Sequence, residues 1–207
     1  MDGYEYFVTA IMGMVGVRPT VAAIESGKKI ALANKETLVN KGLEVIEARW
    51  LFDVDPGQIQ VLVHPQSVIH SMVEYEDGAI IAELGVPDMR LPIQYALYYP
   101  ERRPMPGEKM DFYKLGQMTF ERPDLETFPA LQLAYDAIRK GGNLPTVLNA
   151  ADEIAVQKFL AGQIRYPEIT EIIRHCMETC RFLASPSLDE IFETEREVDE
   201  LVAAWHA

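Results

Sequence analysis

The sequence predicts an α/β segment first, then an α+β part with a small, mainly antiparallel sheet, and finally a C-terminal α-helical bundle. Three observations lead to this expectation. A helix-then-strand pattern fills residues 18–34, β-rich runs fill residues 59–85, and apolar residues recur at helical spacing from residue 126 onward. With 207 residues, 48% of them hydrophobic, the chain can bury the core of one domain or of two small ones.

The α/β segment consists of one helix and one strand. Pro19 suits the first position of a helix, Gly27 suits its end, and the run KKIALAN that follows is typical of a short buried strand. The polar residues Asn34, Lys35 and Glu36 come directly after that strand. We expect them at its carboxyl end, the edge where parallel α/β sheets bind their ligands.

The middle part begins with a helix from Asn40, in which Leu43, Ile46 and Trp50 fall on one apolar stripe. The runs IQVLVHP, SVIHSMVEY and AIIAELG are rich in β-branched residues and predict two or three strands. Between the last two runs, the sequence Glu76-Asp77-Gly78 is typical of a hairpin turn. A small antiparallel sheet follows from this arrangement.

A linker and a bundle complete the predicted organisation. Prolines interrupt the regular patterns between Pro100 and Pro129, and four helical runs follow. The last helix opens with Ser187 and Glu190 in capping-box spacing. Its predicted inner face consists of Leu188, Ile191, Phe192, Glu195, Val198, Leu201, Val202 and Trp205. The expected boundaries are 1–39 for the α/β segment, 40–100 for the α+β part, 101–125 for the linker and 126–207 for the bundle.

Charge and composition exclude several classes of function. The chain has 19 basic and 32 acidic residues, a formal net charge of −13, which argues against nucleic acid or an anionic membrane as its main partner. No apolar run approaches the roughly 18 residues of a membrane span, and the start lacks the basic flank of a signal peptide. We therefore expect a soluble cytoplasmic protein. Cys176 and Cys180, four residues apart in a helical pattern, are expected to be reduced helix cysteines and not a zinc site.

Two polar clusters are candidates for chemistry. One is Asn34-Lys35-Glu36, and the other is residues 40–44 at the predicted start of a helix, where free backbone N–H groups and Lys41 favour an anion such as a phosphate. Glu44, one turn into that helix, could ligate a hard cation. Both motifs are also typical of a solvated turn and a capped helix, so the residues alone leave their function open.

Four longer strings carry a resemblance to a known family. They are GVRPTVAAIESGKKIALANKETLV, NKGLEVIEARWLF, VLVHPQSVIHSMVEYEDGAIIAELGVPDMRLPIQYAL and LNAADEIAVQKFL. These resemble segments of 1-deoxy-D-xylulose 5-phosphate reductoisomerase from about residue 7 to the C-terminus. The resemblance implies a homodimer with an N-terminal dinucleotide domain, a central catalytic domain and a C-terminal bundle. It also implies NADPH-dependent rearrangement and reduction of a sugar phosphate to 2-C-methyl-D-erythritol 4-phosphate, with Mg²⁺ or Mn²⁺, for isoprenoid synthesis.

The resemblance also implies roles for residues that would hold the substrate. Lys35 would contact the sugar phosphate and take part in catalysis, and Asn40 and Lys41 would hold its hydroxyl oxygens. Glu44 would contact substrate and be one of three carboxylate ligands of the metal, which would polarise the substrate carbonyl as a Lewis acid. His70 would face the site as support, although a histidine with satisfied partners in a sheet is the usual alternative.

Three further residues would serve the cofactor by the same resemblance. Asn34 and Glu36 would contact NADPH, and Met89 would pack near the nicotinamide, simple core filling being the alternative for a methionine. Residues 1–39 would accordingly be the C-terminal remnant of the dinucleotide-binding domain.

The chain departs from the family pattern in two places. The N-terminal region with its glycine-rich phosphate loop is expected to be missing, because the resemblance begins in the last part of that domain. In addition, Val39 runs straight into Asn40, where the family carries a long stretch with an Asp-Ser-Glu block that supplies the other two metal ligands. We therefore expect weak binding of NADPH and metal, and little or no turnover.

Three hypotheses of function remain at this point. The chain is a fragment of a true reductoisomerase, or a non-catalytic paralogue that acts as a binding or dimerisation module. The third hypothesis is a different small enzyme that uses Lys35, Lys41 and Glu44 on a phosphorylated substrate without NADPH.

Overall fold

The structure, a computed structural model, describes residues 6–9, 30–33 and 38–205. The strands are β1 Tyr6–Thr9, β2 Ile30–Ala33, β3 Ile59–Leu62, β4 Ile69–Glu74 and β5 Ile80–Leu84. The helices are α1 Leu38–Phe52, α2 Arg90–Tyr98, α3 Phe112–Leu115, α4 Ala130–Lys140, α5 Leu144–Leu160, α6 Tyr166–Thr179 and α7 Leu188–Ala204, with one 3₁₀ turn at Pro56–Gln58. The described part is therefore rich in helix, with a small sheet and a set of C-terminal helices. The helix predicted from Pro19 to Gly27 lies outside the described residues.

Two compact units make up the chain. One comprises residues 1–37 and 47–123, and the other comprises residues 38–46 and 124–207. We call the first the sheet unit and the second the bundle unit. The first half of α1 thus belongs to the bundle unit.

The sheet unit is built around the antiparallel hairpin of β4 and β5. Ile69 pairs with Leu84 and Glu74 pairs with Ile80, and β4 also pairs antiparallel with β1 and β2, while β2 and β3 run parallel. The predicted turn is confirmed, since Gly78 has a φ of +80° and its N–H donates to the Tyr75 carbonyl. A small cluster of Val68, Ile69 and Met72 forms the described core of this sheet.

The bundle unit buries the larger apolar core. It contains buried residues from α1, α4, α5, α6 and α7, namely Ile46, Leu133, Ala134, Ala137, Leu144, Val147, Leu148, Ala151, Ala155, Ile169, Ile172, Ile173, Cys176, Cys180, Val198 and Val202. The helix ends follow the sequence signals: Gly141, with a φ of +69°, ends α4, and the Ser187–Glu190 capping box opens α7. Cys176 and Cys180 are buried free thiols, as expected.

Two predicted apolar faces are only partly correct. Leu43 and Ile46 of α1 pack on the bundle core, but Trp50 is 68% exposed and does not continue this stripe. In α7, Val198 and Val202 are buried, whereas Leu188, Phe192 and Glu195 are exposed. Thr194 is buried instead, since its hydroxyl donates to the Glu190 carbonyl and so satisfies its polar atom inside the helix.

The proline-rich stretch between Pro100 and Pro129 carries little regular structure. It contains the four-residue helix α3 and one antiparallel bridge between Val63 and Glu121. Among the described residues, no helix combines the length and the apolar composition that a bilayer crossing requires.

Candidate functional site

The start of α1 carries a buried ion pair. The Lys41 Nζ lies 2.5 Å from Glu44 Oε2, and the lysine side chain is 2% exposed whereas that of the glutamate is 21% exposed. Residues three apart on a helix lie side by side, which brings the two groups together. A buried ammonium is costly without a counter-charge, so Glu44 is what makes the burial of Lys41 tolerable.

Close helix packing places this pair in the bundle unit. A Cβ added to Gly42 would lie 2.6 Å from the Ala134 Cβ, so the absence of a side chain lets α1 approach α4. Ile46, one turn after Gly42, anchors the same part of α1 in the bundle core. Lys41 and Glu44 are therefore presented from a firmly packed helix.

The fit of a divalent metal can be tested on these residues. Glu44 already accepts from Lys41, and no group of three or more His, Cys, Asp or Glu side chains in the described residues could hold a metal ion. Mg²⁺ and Mn²⁺ need several oxygen ligands in a defined geometry. A single carboxylate paired with an ammonium does not fit either ion, so the described residues alone do not form the expected metal centre.

His70 lies in the sheet unit at an irregularity of the hairpin. Ile69 pairs with Leu84 and Ser71 pairs with Glu83, so His70 is the extra residue of a β-bulge. Bulges re-aim side chains and are frequent beside active sites. A Cβ on Gly85 would lie 3.5 Å from His70 Nε2, an ordinary van der Waals distance, so Gly85 lies next to the imidazole.

The loop after Gly85 carries Met89, which stands directly before α2 and is 37% exposed. The two residues that flank Met89, Asp88 and Arg90, form an ion pair in which Arg90 Nη2 lies 2.5 Å from Asp88 Oδ2. The Arg90 backbone N–H also donates to Asp88 Oδ1. These hydrogen bonds from Arg90 lower the pKa of Asp88 to about 2. Met89 thus lies between two paired charged residues and is not a buried core residue.

The structure brings some of the expected site residues together and leaves others aside. Lys41 and Glu44 belong to the bundle unit, and His70 and Met89 belong to the sheet unit. Within the sheet unit, Gly85 lies next to the His70 imidazole and precedes the loop that carries Met89. The backbone of Asn40 lies in the first turns of α1, so the junction of Val39 and Asn40 falls inside a continuous helix. Asn34, Lys35 and Glu36 lie outside the described residues.

Two buried polar residues were missed by the sequence analysis. Asp152 on α5 and His64 after β3 each have a buried side-chain atom without a hydrogen-bond partner. The sequence contained a signal for the burial of Asp152, because its spacing from Leu148, Ala151 and Ala155 places it on the inner face of the helix. His64 carried no such pattern, since it lies two residues beyond the end of the short strand β3.

Family comparisons match most of the chain. The model described as DXP reductoisomerase C-terminal domain matches residues 84–201, and the model described as 1-deoxy-D-xylulose 5-phosphate reductoisomerase matches residues 1–42. The reductoisomerase of Agathobacter rectalis is 45% identical over 276 aligned positions, covering 91% of this chain and 73% of the relative. That of Caldanaerobacter subterraneus is 55% identical over 177 positions, covering 85% of this chain and 46% of the relative.

The alignment with the Agathobacter relative is longer than the chain itself. Its 276 positions exceed the 207 residues by 69, so at least 69 aligned positions of the relative have no counterpart here. These positions are internal to the alignment.

Solved structures give the same assignment. The reductoisomerase of Zymomonas mobilis in complex with NADPH is 40% identical in sequence and superposes with a TM-score of 0.78. The match covers 98% of this chain and 55% of the Zymomonas chain. A reductoisomerase in complex with NADPH, fosmidomycin and magnesium is 34% identical in sequence, with a TM-score of 0.79. That match covers 98% of this chain and 55% of the solved chain. The chain therefore spans about half the length of these structures. By sequence and by fold, it belongs to the 1-deoxy-D-xylulose 5-phosphate reductoisomerase family.

Proposed function

We propose that this chain is part of an enzyme that converts 1-deoxy-D-xylulose 5-phosphate to 2-C-methyl-D-erythritol 4-phosphate with NADPH and a divalent metal. The observation that carries this proposal is the buried Lys41–Glu44 pair on α1. Lysine is rarely buried in a protein core, because burying a charge is costly, so a buried and paired lysine is a candidate for a functional group. The relatives named as reductoisomerases, and the solved complexes that contain NADPH and magnesium, support the reaction class.

The substrate-holding role belongs to the start of α1. A lysine ammonium has three donor protons, and within the described residues only Glu44 accepts one of them, so two would serve oxygen atoms of a bound sugar phosphate. Asn40 would add its amide to the same oxygens, and Lys35 would meet the phosphorylated substrate and act in catalysis. By the family resemblance, His70, on its bulge, would support the substrate.

The cofactor and metal roles are proposed for the complete enzyme. Asn34, Glu36 and Met89 would contact NADPH, with residues 1–39 as the remnant of the dinucleotide-binding domain. Glu44 would contribute one carboxylate to Mg²⁺ or Mn²⁺, together with ligands that the described residues do not supply. When bound, the metal would polarise the substrate carbonyl.

We expect this chain by itself to turn over little or nothing. The Agathobacter relative has at least 69 internal positions without a counterpart, which is consistent with a missing stretch between Val39 and Asn40. The complete enzyme would be a cytoplasmic homodimer without nucleic-acid or membrane partners, in keeping with the net charge of −13.

A non-catalytic binding or dimerisation module is the second candidate. It is favoured by α2, which buries none of its residues and exposes Ile93, Leu97 and Tyr98. Exposed apolar side chains grouped on one short helix are typical of contact surfaces. A stable chain whose fold and stability do not respond to NADPH would support this alternative.

A chimera tests the proposed reaction. The parts of the Agathobacter relative that have no counterpart in these 207 residues would be added to the chain, and NADPH oxidation would be followed with 1-deoxy-D-xylulose 5-phosphate and Mg²⁺. We expect turnover that falls by roughly 10²–10³ in Glu44→Gln and Lys41→Met. The control Glu195→Gln, an exposed carboxylate on α7, should keep full activity. A folded chimera that binds NADPH and shows no turnover would overturn the proposal.

A further inference from the structure

The turn after β3, residues 64–66, forms several hydrogen bonds with Thr119 of the proline-rich stretch. Thr119 has its backbone N–H bonded to Gln66 Oε1 at 3.0 Å and its hydroxyl bonded to Gln66 Nε2 at 2.9 Å. The Thr119 carbonyl lies 2.9 Å from His64 Nδ1. The N–H, the carbonyl and the hydroxyl of Thr119 are therefore all satisfied by two side chains of residues 64–66.

Backbone and ring contacts extend these interactions on both sides. The Val63 N–H donates to the Glu121 carbonyl at 3.0 Å, and the Glu121 N–H donates back to the Val63 carbonyl at 2.9 Å. The His64 ring stacks on Phe120 with centroids 5.0 Å apart and planes 19° from parallel. Residues 119–121 thus lie beside Val63, the residue after β3, and one antiparallel bridge joins them to it.

The chemistry of His64 fixes its role in this contact. A carbonyl can only accept, so His64 Nδ1 carries a proton and donates it to Thr119. His64 is fully buried, and its Nε2 has no hydrogen-bond partner among the residues that the structure describes. An unmade hydrogen bond inside a protein is costly, and the stack and the bond to Thr119 are what retain the ring there.

We propose that the His64–Gln66 turn is a latch that holds residues 119–121 in place, so that this part of the proline-rich stretch is a fixed strand of the sheet unit and not a mobile linker. The proposal stands independently of the proposed function. Its consequence reaches the candidate site, because the same turn leads through Ser67 directly into β4, where His70 lies.

Hydrogen exchange on the full chain tests the latch. In Gln66→Ala we expect the amides of Val63, Thr119 and Glu121 to exchange at least roughly tenfold faster. The variant loses the two Gln66 hydrogen bonds given above and a third, which the Thr119 hydroxyl donates to Gln66 Oε1 at 3.2 Å. The amides of the β4–β5 hairpin should keep their protection. The matched control is Gln117→Ala, which removes an exposed glutamine two residues before Thr119 and should change none of these rates.

A second variant separates a local latch from general loss of structure. Thr119→Val keeps the shape of the side chain and removes only the hydroxyl, and it should speed exchange at Thr119 and Glu121 several-fold. Unchanged exchange of these amides in both variants would overturn the proposal. So would an equal loss of protection across β4 and β5, since the turn would then support the whole sheet and not one docked strand.

Discussion

Asp152 offers the sharpest test of the packing of the bundle unit. It lies on the inner face of α5, is 7% exposed, and has one carboxylate oxygen without a partner. Burial, followed by repulsion from Glu153, raises its pKa from 3.8 to about 6. Replacement by asparagine keeps the shape of the side chain and removes its charge.

The magnitude and the sign follow from this pKa. The rise corresponds to about 3 kcal/mol between the two protonation states. The folded chain binds this proton more tightly than the unfolded chain does. The resulting stabilisation of the folded chain is therefore fully present below the unfolded pKa of 3.8. It is lost as the pH rises through about 6. At neutral pH the chain therefore holds a buried charge, and Asp152→Asn should raise the free energy of unfolding by about 2 kcal/mol after the cost of burying an amide.

Urea unfolding followed by circular dichroism measures this effect. We expect the gain of Asp152→Asn at about pH 7.5 to shrink to nearly nothing at about pH 4.5, where the wild-type carboxyl is protonated. Asp199→Asn, an exposed position on α7, is the matched control and should change stability by less than about 0.5 kcal/mol at either pH. A gain that is equal at both pH values, or a loss at neutral pH, would refute the reasoning.

Three further predictions concern the bundle unit. Asn143→Ala should cost about 3 kcal/mol in urea unfolding, because its buried amide bonds the Arg181 carbonyl, the Thr194 hydroxyl and the Leu183 N–H; a cost below about 1 kcal/mol would contradict this. Gly42→Ala should cost about 1–3 kcal/mol in the same assay, since its Cβ would meet a neighbouring Cβ at 2.6 Å. Burial raises the pKa of the Cys176 thiol to about 11 and, with nearby Glu197, that of Cys180 to about 12. Both thiols should react with a disulfide reagent only after unfolding, and rapid reaction of the native chain would argue against their burial.

Local signals in the sequence predicted much of the fold. The Ser187–Glu190 capping box, the glycine that ends α4 and the turn at Gly78 each depend on a few neighbouring residues, and each is where the sequence places it. The outer positions of α7 were not predictable in the same way. Leu188 and Phe192 fit the apolar period, but only the packing of neighbouring helices decides which apolar positions are covered.

The candidate site was predictable to a smaller degree. The spacing of Lys41 and Glu44 allows an ion pair on a helix, but the burial of Lys41 depends on the close approach of α4 at Gly42. The roles of Asn34, Lys35 and Glu36 come from the family resemblance and stay predictions. Contacts across long sequence separations, such as Gln66 with Thr119, have no local signal at all.

The most direct test of the central claim is the activity of this chain itself. The account holds that the chain belongs to the reductoisomerase family but that its described residues supply a single carboxylate at the expected metal position. Purified chain with NADPH, 1-deoxy-D-xylulose 5-phosphate and Mg²⁺ should therefore show no NADPH oxidation above the rate without protein. Steady oxidation that disappears in Glu44→Gln and persists in Glu195→Gln would show that these 207 residues complete the site, and would contradict the account.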